Sequence, residues 1–290
     1  MMNIPARWWQ KEGEKTRCTL CFHHCLLASG EKGICGVRIA TENGMDSPLL
    51  GQFSSCAVDP IEKKPLYYWR PGSFILSLGS IGCNMYCPFC QNYAIAQPDC
   101  AEKIPLAEIT PHALVQKTKQ LKLNAVAYTY NEPTLQAEYI LEAAPLLKKE
   151  DIATVLVTNG MFSSQALTDL IPSIDAANVD IKTFDPVTYA SLGGSLATAK
   201  KNVAQLLDAG VHVELTNLVV PQISDSVCDF ENMIDWIADL SPDVPLHISR
   251  YFPAYRHTAP PTDIALMKEF CAIAKRRLSR VHAGNVPDIS

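Results

Sequence analysis

The segment Gly79-Ser80-Ile81-Gly82-Cys83-Asn84-Met85-Tyr86-Cys87-Pro88-Phe89-Cys90-Gln91-Asn92 carries three cysteines at C-x3-C-x2-C spacing, directly after the apolar run Phe74-Ile75-Leu76-Ser77-Leu78. Three thiolates on one tight loop at the end of a buried strand can converge on one metal centre. A cubane iron–sulfur cluster normally takes four cysteines, so three leave one iron open, and an open position marks catalytic rather than structural metal sites. A zinc knuckle is the alternative. It needs a fourth protein ligand at short range, and no cysteine follows Cys90 until Cys100, beyond Pro98.

A second group lies upstream. Cys18-Thr19-Leu20-Cys21-Phe22-His23-His24-Cys25, followed by Cys35, gives C-x2-C-x3-C-x9-C, a four-thiolate metal site with His23 and His24 as spare ligands. Its four thiolates complete a coordination shell, and a short segment with little apolar core needs such a staple. Zinc and a second iron–sulfur cluster both fit, and zinc is slightly favoured.

The remaining composition bounds what these sites serve. The chain has 290 residues, 48% hydrophobic and 19% charged, with 25 basic against 30 acidic side chains for a net charge of −5. That is ordinary globular composition. Basic residues never cluster beyond Lys275-Arg276-Arg277, so the electrostatic footprint of a nucleic-acid binder is missing. No stretch approaches 18 apolar residues, and the first residues lack the apolar core of a signal peptide. The expectation is a cytoplasmic protein with no membrane partner, whose 11 cysteines serve as metal ligands or buried thiols rather than disulfides.

Elements must position these groups. Residues 1–72 read as an accessory segment with few periodic stretches, and 73–290 alternate strand-like and helix-like segments. Strands are expected at 74–79, 124–130, 153–158, 175–181, 211–219 and 244–251. Helices are expected near 110–122, 134–149, 163–172, 196–209, 226–239 and 260–277, with Thr110-Pro111, Ser163 and Ser226 as starts. Six β/α units in series give an α/β fold, a parallel sheet curved into a partial (β/α)6 barrel of the TIM type.

Chemistry in such folds collects at the C-terminal ends of strands, and those ends are polar here. The second ends in Tyr128-Thr129-Tyr130-Asn131-Glu132-Pro133-Thr134 and the third in Val157-Thr158-Asn159-Gly160, whose Thr158 and Asn159 are short polar groups suited to a ribose or carboxylate. The fourth ends in Asp180-Ile181-Lys182, with the acid and base on one face. The sixth carries His247 and Arg250 near the mouth; His247 is a candidate for facing cofactor or substrate. Tyr128, Tyr130 and Tyr255 are further candidates for the lining.

The cysteine loop resembles that of the radical S-adenosylmethionine (SAM) superfamily, C-x3-C-x-aromatic-C, with Phe89 as the aromatic. The resemblance implies a [4Fe-4S] cluster on Cys83, Cys87 and Cys90 whose open iron chelates SAM, and an electron donor such as flavodoxin or ferredoxin. It also implies reductive cleavage of SAM to methionine and a 5′-deoxyadenosyl radical that abstracts hydrogen from a substrate. Glu132 matches the acid that contacts the methionyl ammonium, and Asn131-Glu132-Pro133 fits one subgroup. With Gly51-Gln52-Phe53-Ser54-Ser55, Asp59-Pro60-Ile61-Glu62-Lys63-Lys64-Pro65-Leu66 and Gly284-Asn285-Val286, the chain resembles the AmmeMemoRadiSam-system enzymes, related to pyruvate formate-lyase activating enzymes. In glycyl-radical activating enzymes, an Asp-x-Lys segment and the Asp of an Asp-Thr-Asn-Gly segment help hold a monovalent cation near SAM; here Val157 stands in the place of that second acid.

Three functions follow as expectations: hydrogen abstraction from a small molecule or protein residue, activation of a glycyl radical enzyme, or metal binding without catalysis. The first is preferred, because Val157 and the N-terminal segment both depart from a dedicated activase.

Overall fold

The computed structural model describes residues 4–97 and 104–286. Its N-terminal part is built of short antiparallel pieces. Strands β1 (Trp9–Glu12), β2 (Lys15–Cys18) and β3 (Leu26–Leu27) form one small sheet, and β4 (Ile39–Thr41) and β5 (Gly44–Asp46) form a hairpin. Strand β6 (Gln52–Phe53) is followed by β7 (Ser55–Pro60), β8 (Phe74–Gly79) and β9 (Ala107–Glu108), the last pairing with β6.

Strands β10 (Ala125–Tyr128), β11 (Ala153–Thr158), β12 (Ala176–Asp180), β13 (His212–Val219), β14 (Leu246–Arg250) and β15 (Val281–Gly284) complete the main sheet. Its order among the described residues is β15-β14-β13-β12-β11-β10-β8-β7, parallel throughout except for β7. Strands that pair in sequence order, joined by right-handed crossovers, place their helices on one face and curl the sheet around the other. The two ends do not meet, so the result is a partial TIM-like barrel, as expected. Both faces are covered, and buried residues therefore run along all of β10 and along β11 except for half-buried Val157.

All six expected strands are present. Thr110, Ser163 and Ser226 cap their helices, each side chain accepting a hydrogen bond from the amide three residues on. Two strands of the main sheet were not expected. Residues 55–60, placed by sequence in the accessory segment, form an antiparallel edge strand of the main sheet, and Val281–Gly284 forms the opposite edge. No helix of the described residues is long and apolar enough to cross a membrane.

The chain between β7 and β8 spans the open seam. The carbonyl of Pro65 accepts from Asn178 on β12 at 2.8 Å. The Tyr67 ring lies 3.8 Å from the His282 ring of β15, centroid to centroid. Beneath them Glu214 of β13, fully buried, accepts from the amides of Tyr67 and Tyr68 at 3.0 and 2.8 Å and pairs with His212 and His247 at 2.9 and 2.6 Å.

Burial alone would raise the Glu214 pKa, but its two histidines and the Tyr68 amide outweigh it and hold the carboxyl at about 2. A depressed folded-state pKa contributes stability above the ordinary value near 4.5, and that stability drains away as pH falls towards 2. The shift corresponds to about 3 kcal/mol. Glu214→Gln is therefore expected to flatten the dependence of the urea midpoint on pH below about 4.5. Parallel profiles for the two proteins would show that Glu214 does not carry this term.

Candidate functional site

At the C-terminal ends of the strands lies a cavity of about 340 Å³. It is lined by Cys83, Cys87 and Cys90 together with Phe89, Asn131, Glu132, Thr158, Asn159, Asp180 and Lys182. Residues up to 99 positions apart in sequence converge because each sits at or just past the C-terminal end of a parallel strand. The loop after β8 supplies the sulfurs; the turns after β10, β11 and β12 supply the polar groups.

Hydrogen bonds fix this arrangement. Asn131 ties the cysteine loop to β10: its side-chain oxygen accepts from the Ser80 amide at 2.9 Å and its amide donates to the Gly82 carbonyl at 2.9 Å. Glu132 accepts from the amide and hydroxyl of Thr134 (3.0 and 2.5 Å), the hydroxyl of Thr158 (2.7 Å) and the amide of Asn159 (2.8 Å). One buried carboxylate thus joins the ends of β10 and β11. Asn159 in turn donates to Asn84 Oδ1 at 2.7 Å and to Cys83 Sγ at 3.7 Å, and the Met85 amide also donates to Cys83 Sγ, at 3.4 Å.

Burial raises the pKa of Glu132 despite those four donors. Cys83 is pushed well above the ordinary thiol value by burial and then by Glu132, and Cys87 is pushed up to about 11 by burial, with Lys182 acting against the rise. Burial works against the charge of Lys182, yet Asp180 at 2.8 Å and the Cys87 sulfur raise its pKa. Raised thiol pKa values mean that binding a metal displaces thiol protons.

Of the other groups at the cavity, Tyr130 is a lining candidate of the sequence, while Lys64 is not read from it as a site residue. Lys64, fully buried, pairs with Asp59 at 2.7 Å and lies 4.3 Å from the centroid of the Tyr130 ring. Tyr130 donates its hydroxyl to Asp59 and adopts φ +70°, a conformation that costs a non-glycine residue energy and recurs at functional sites. That turn ends β10 at Tyr128, short of the expected residue 130. Lys63, Pro65, Thr216, Ser249 and Asn285 also reach the lining.

His247 does not line the cavity. It is on the strand face that carries Ser249, but one layer deeper, and Glu214 holds its Nε2 at 2.6 Å. Of the other mouth candidates only Tyr130 reaches the lining: Tyr128 is buried in the core, Arg250 donates to the Thr262 carbonyl at 2.8 Å, and Tyr255 stacks on Tyr93. Cys100 lies outside the described residues.

The N-terminal cysteines form a neighbouring centre. Cys18, Cys21 and Cys35 are buried and Cys25 is half-buried. This segment docks on the turn after β11 through Phe22 N to Met161 O at 3.2 Å and Ser163 N to Leu20 O at 3.0 Å. It also touches the cysteine loop of the barrel, His23 Nε2 lying 2.7 Å from the Asn84 carbonyl. Among the described residues, no group of three or more His, Cys, Asp or Glu is placed to hold a metal ion.

The radical SAM superfamily domain matches residues 78–237. The chain belongs to the radical SAM superfamily. It is 35% identical to an uncharacterized protein, MJ0808, of Methanocaldococcus jannaschii, over 97% of this chain and 85% of that one. It is 26% identical to a pyruvate formate-lyase-activating enzyme of Clostridium pasteurianum, over 50% of this chain and 61% of the relative. Streptococcus suis SuiB bound to S-adenosylmethionine shares the fold with a TM-score of 0.55 at 18% identity, over 72% of this chain and 51% of SuiB.

Superfamily membership implies a [4Fe-4S] cluster and SAM, and the site fits them. Three sulfurs line one cavity, and the Met85 and Asn159 N–H groups already point at one of them. Such hydrogen bonds are among the features that set cluster potentials.

Proposed function

We propose that this chain is a radical SAM enzyme that cleaves SAM reductively in the cavity and abstracts hydrogen from a small molecule or a protein residue. The observation that carries the reading is the convergence of Cys83, Cys87 and Cys90 with Glu132, Asn159, Asp180 and Lys182 on one cavity at the strand ends. When bound, the cluster and SAM supply the electron transfer and the 5′-deoxyadenosyl radical. The chain's own residues bind and orient. Glu132 offers a carboxylate to the methionyl ammonium, Thr158 and Asn159 offer polar groups to the carboxylate or ribose, and Lys182 balances the charge of the thiolates.

The cavity of about 340 Å³ is near the lower end of the roughly 300–1,000 Å³ usual for such sites. It suits the cofactor with only the reacting tip of a substrate. Anaerobically reconstituted, reduced protein incubated with SAM is expected to yield 5′-deoxyadenosine and methionine. No 5′-deoxyadenosine under strong reductant would favour metal binding without catalysis.

Activation of a glycyl radical enzyme is the second reading, favoured by the similarity to the pyruvate formate-lyase-activating enzyme. Against it, Val157 brings an apolar side chain to the lining, and Asp180 is already paired with Lys182. Reduced enzyme and SAM mixed with glycyl radical enzymes from the same genome should give no glycyl doublet in electron paramagnetic resonance. A strong doublet would establish the activase instead.

A further inference from the structure

We infer that His23 is a positioning residue for the barrel cluster: by donating to the Asn84 carbonyl it strengthens an N–H···S bond on Cys83 and so eases one-electron reduction. The inference rests on the cluster that superfamily membership implies. It depends neither on the metal of the N-terminal cysteines nor on the substrate.

The deciding geometry is a single peptide unit. His23 Nε2 lies 2.7 Å from the carbonyl oxygen of Asn84, and the Met85 amide donates to Cys83 Sγ at 3.4 Å. The Asn84 carbonyl and the Met85 N–H are the two ends of one peptide bond. A carbonyl can only accept, so Nε2 carries the ring proton. Drawing electron density towards that oxygen makes the N–H on the other side of the peptide a better donor. Hydrogen bonds chained in this way reinforce one another by about 10–30% each in a low-dielectric interior, and both Asn84 and Met85 are buried. The imidazole is confined by Phe22, whose ring centroid is 4.1 Å away.

A second route from the same segment reaches the same sulfur. The Phe22 amide donates to the Met161 carbonyl at 3.2 Å, and the Met161 amide donates to Asn159 Oδ1 at 3.0 Å. Asn159 Nδ2 then donates to Asn84 Oδ1 at 2.7 Å and to Cys83 Sγ at 3.7 Å. Phe22 and His23 thus brace both N–H donors of Cys83, one through a side chain and one through a peptide. Outer partners of this kind orient the groups that touch a metal centre and tune it.

Those donors have an effect to oppose. Reduction adds negative charge that a cluster shares with its sulfurs, and N–H donors stabilise that charge and raise the potential. Glu132 acts electrostatically on Cys83, and a carboxylate beside the sulfur makes the added electron less favourable. The two N–H groups offset it where it acts.

The test uses the full chain, reconstituted anaerobically, with the midpoint potential read from the reduced-state signal that Cys83→Ala abolishes. His23→Phe keeps a flat ring beside Phe22 but has no donor. It is expected to lower the equilibrium constant for one-electron reduction about threefold, which is about 28 mV at about 59 mV per tenfold, with iron content unchanged. His23→Gln restores an N–H and is expected to return the wild-type potential. An unshifted potential in His23→Phe, or the same shift in both variants, overturns the inference. Electron–nuclear double resonance of the reduced wild type in H2O and D2O needs no variant: exchangeable protons coupled to the cluster are expected, and their absence overturns the inference even if both variants lose iron. Potentials are read without turnover, so a wild type that is reduced normally but forms no 5′-deoxyadenosine would defeat the proposed function and leave the role of His23 standing.

Discussion

Glu132→Gln is expected to lower SAM cleavage at least about tenfold and to lower the melting temperature of the metal-free protein by roughly 2–12 °C. The carboxylate accepts from four donors, two of them the backbone amides of Thr134 and Asn159. Glutamine keeps one oxygen. If that oxygen faces Thr134, the new NH2 meets the Asn159 amide; if it faces Asn159, the NH2 meets the Thr134 amide. One buried N–H loses its acceptor in either orientation, at about 1–3 kcal/mol. The two threonine hydroxyls can rotate to accept, so the backbone amides decide the outcome. SAM loses a negative partner for its ammonium at the same time. Scanning calorimetry of the metal-free variant and 5′-deoxyadenosine formation by the loaded one measure the two effects separately. A stability and a rate both indistinguishable from wild type would remove Glu132 from the site.

The cysteine loop was legible because thiol spacing is a local property, and the strand ends because parallel strands read as uniformly apolar runs closed by polar residues. What escaped was decided by tertiary contact. Strand β7 exposes Cys56, Ala57 and Val58 and ends in proline, so neither alternation nor a buried run marks it; its pairing with β8 makes it a strand. Strand β15 has four half-buried residues, too few for a pattern. For His247 the period of two gives the correct face but not the depth, and Glu214, 33 positions earlier, captures the ring. Tyr130 is legible as a strand-end tyrosine, but the partner of its hydroxyl, Asp59, lies 71 positions earlier, and the same carboxylate draws Lys64 into the lining. The spacing of the N-terminal cysteines left the metal open between zinc and a cluster, since spacing counts ligands without naming the ion they take.

Gly82→Ala is expected to cost far more than its backbone conformation alone, and Gly30→Ala supplies the control. Both glycines have nearly the same dihedral, φ +87° and +85°, so alanine at either position carries the left-handed penalty of about 1–2 kcal/mol. Around Gly30 nothing lies within 4 Å of an added Cβ, whereas at Gly82 it would be 2.5 Å from Val37 Cγ2 and 2.8 Å from the Cys35 carbonyl oxygen. Val37 is buried and has little room to turn. The carbonyl is backbone and cannot move without carrying Cys35 along. Relief therefore requires either the barrel loop to swing away, displacing Cys83, or the N-terminal segment to lift, displacing Cys35. Neither centre keeps its geometry. Gly30→Ala should retain wild-type iron after anaerobic reconstitution with a melting temperature lowered by roughly 2–8 °C, while Gly82→Ala should lose iron from at least one centre and fall well below the control. Equal melting temperatures and equal iron in the two variants would mean that the N-terminal segment does not press on the cysteine loop at Gly82.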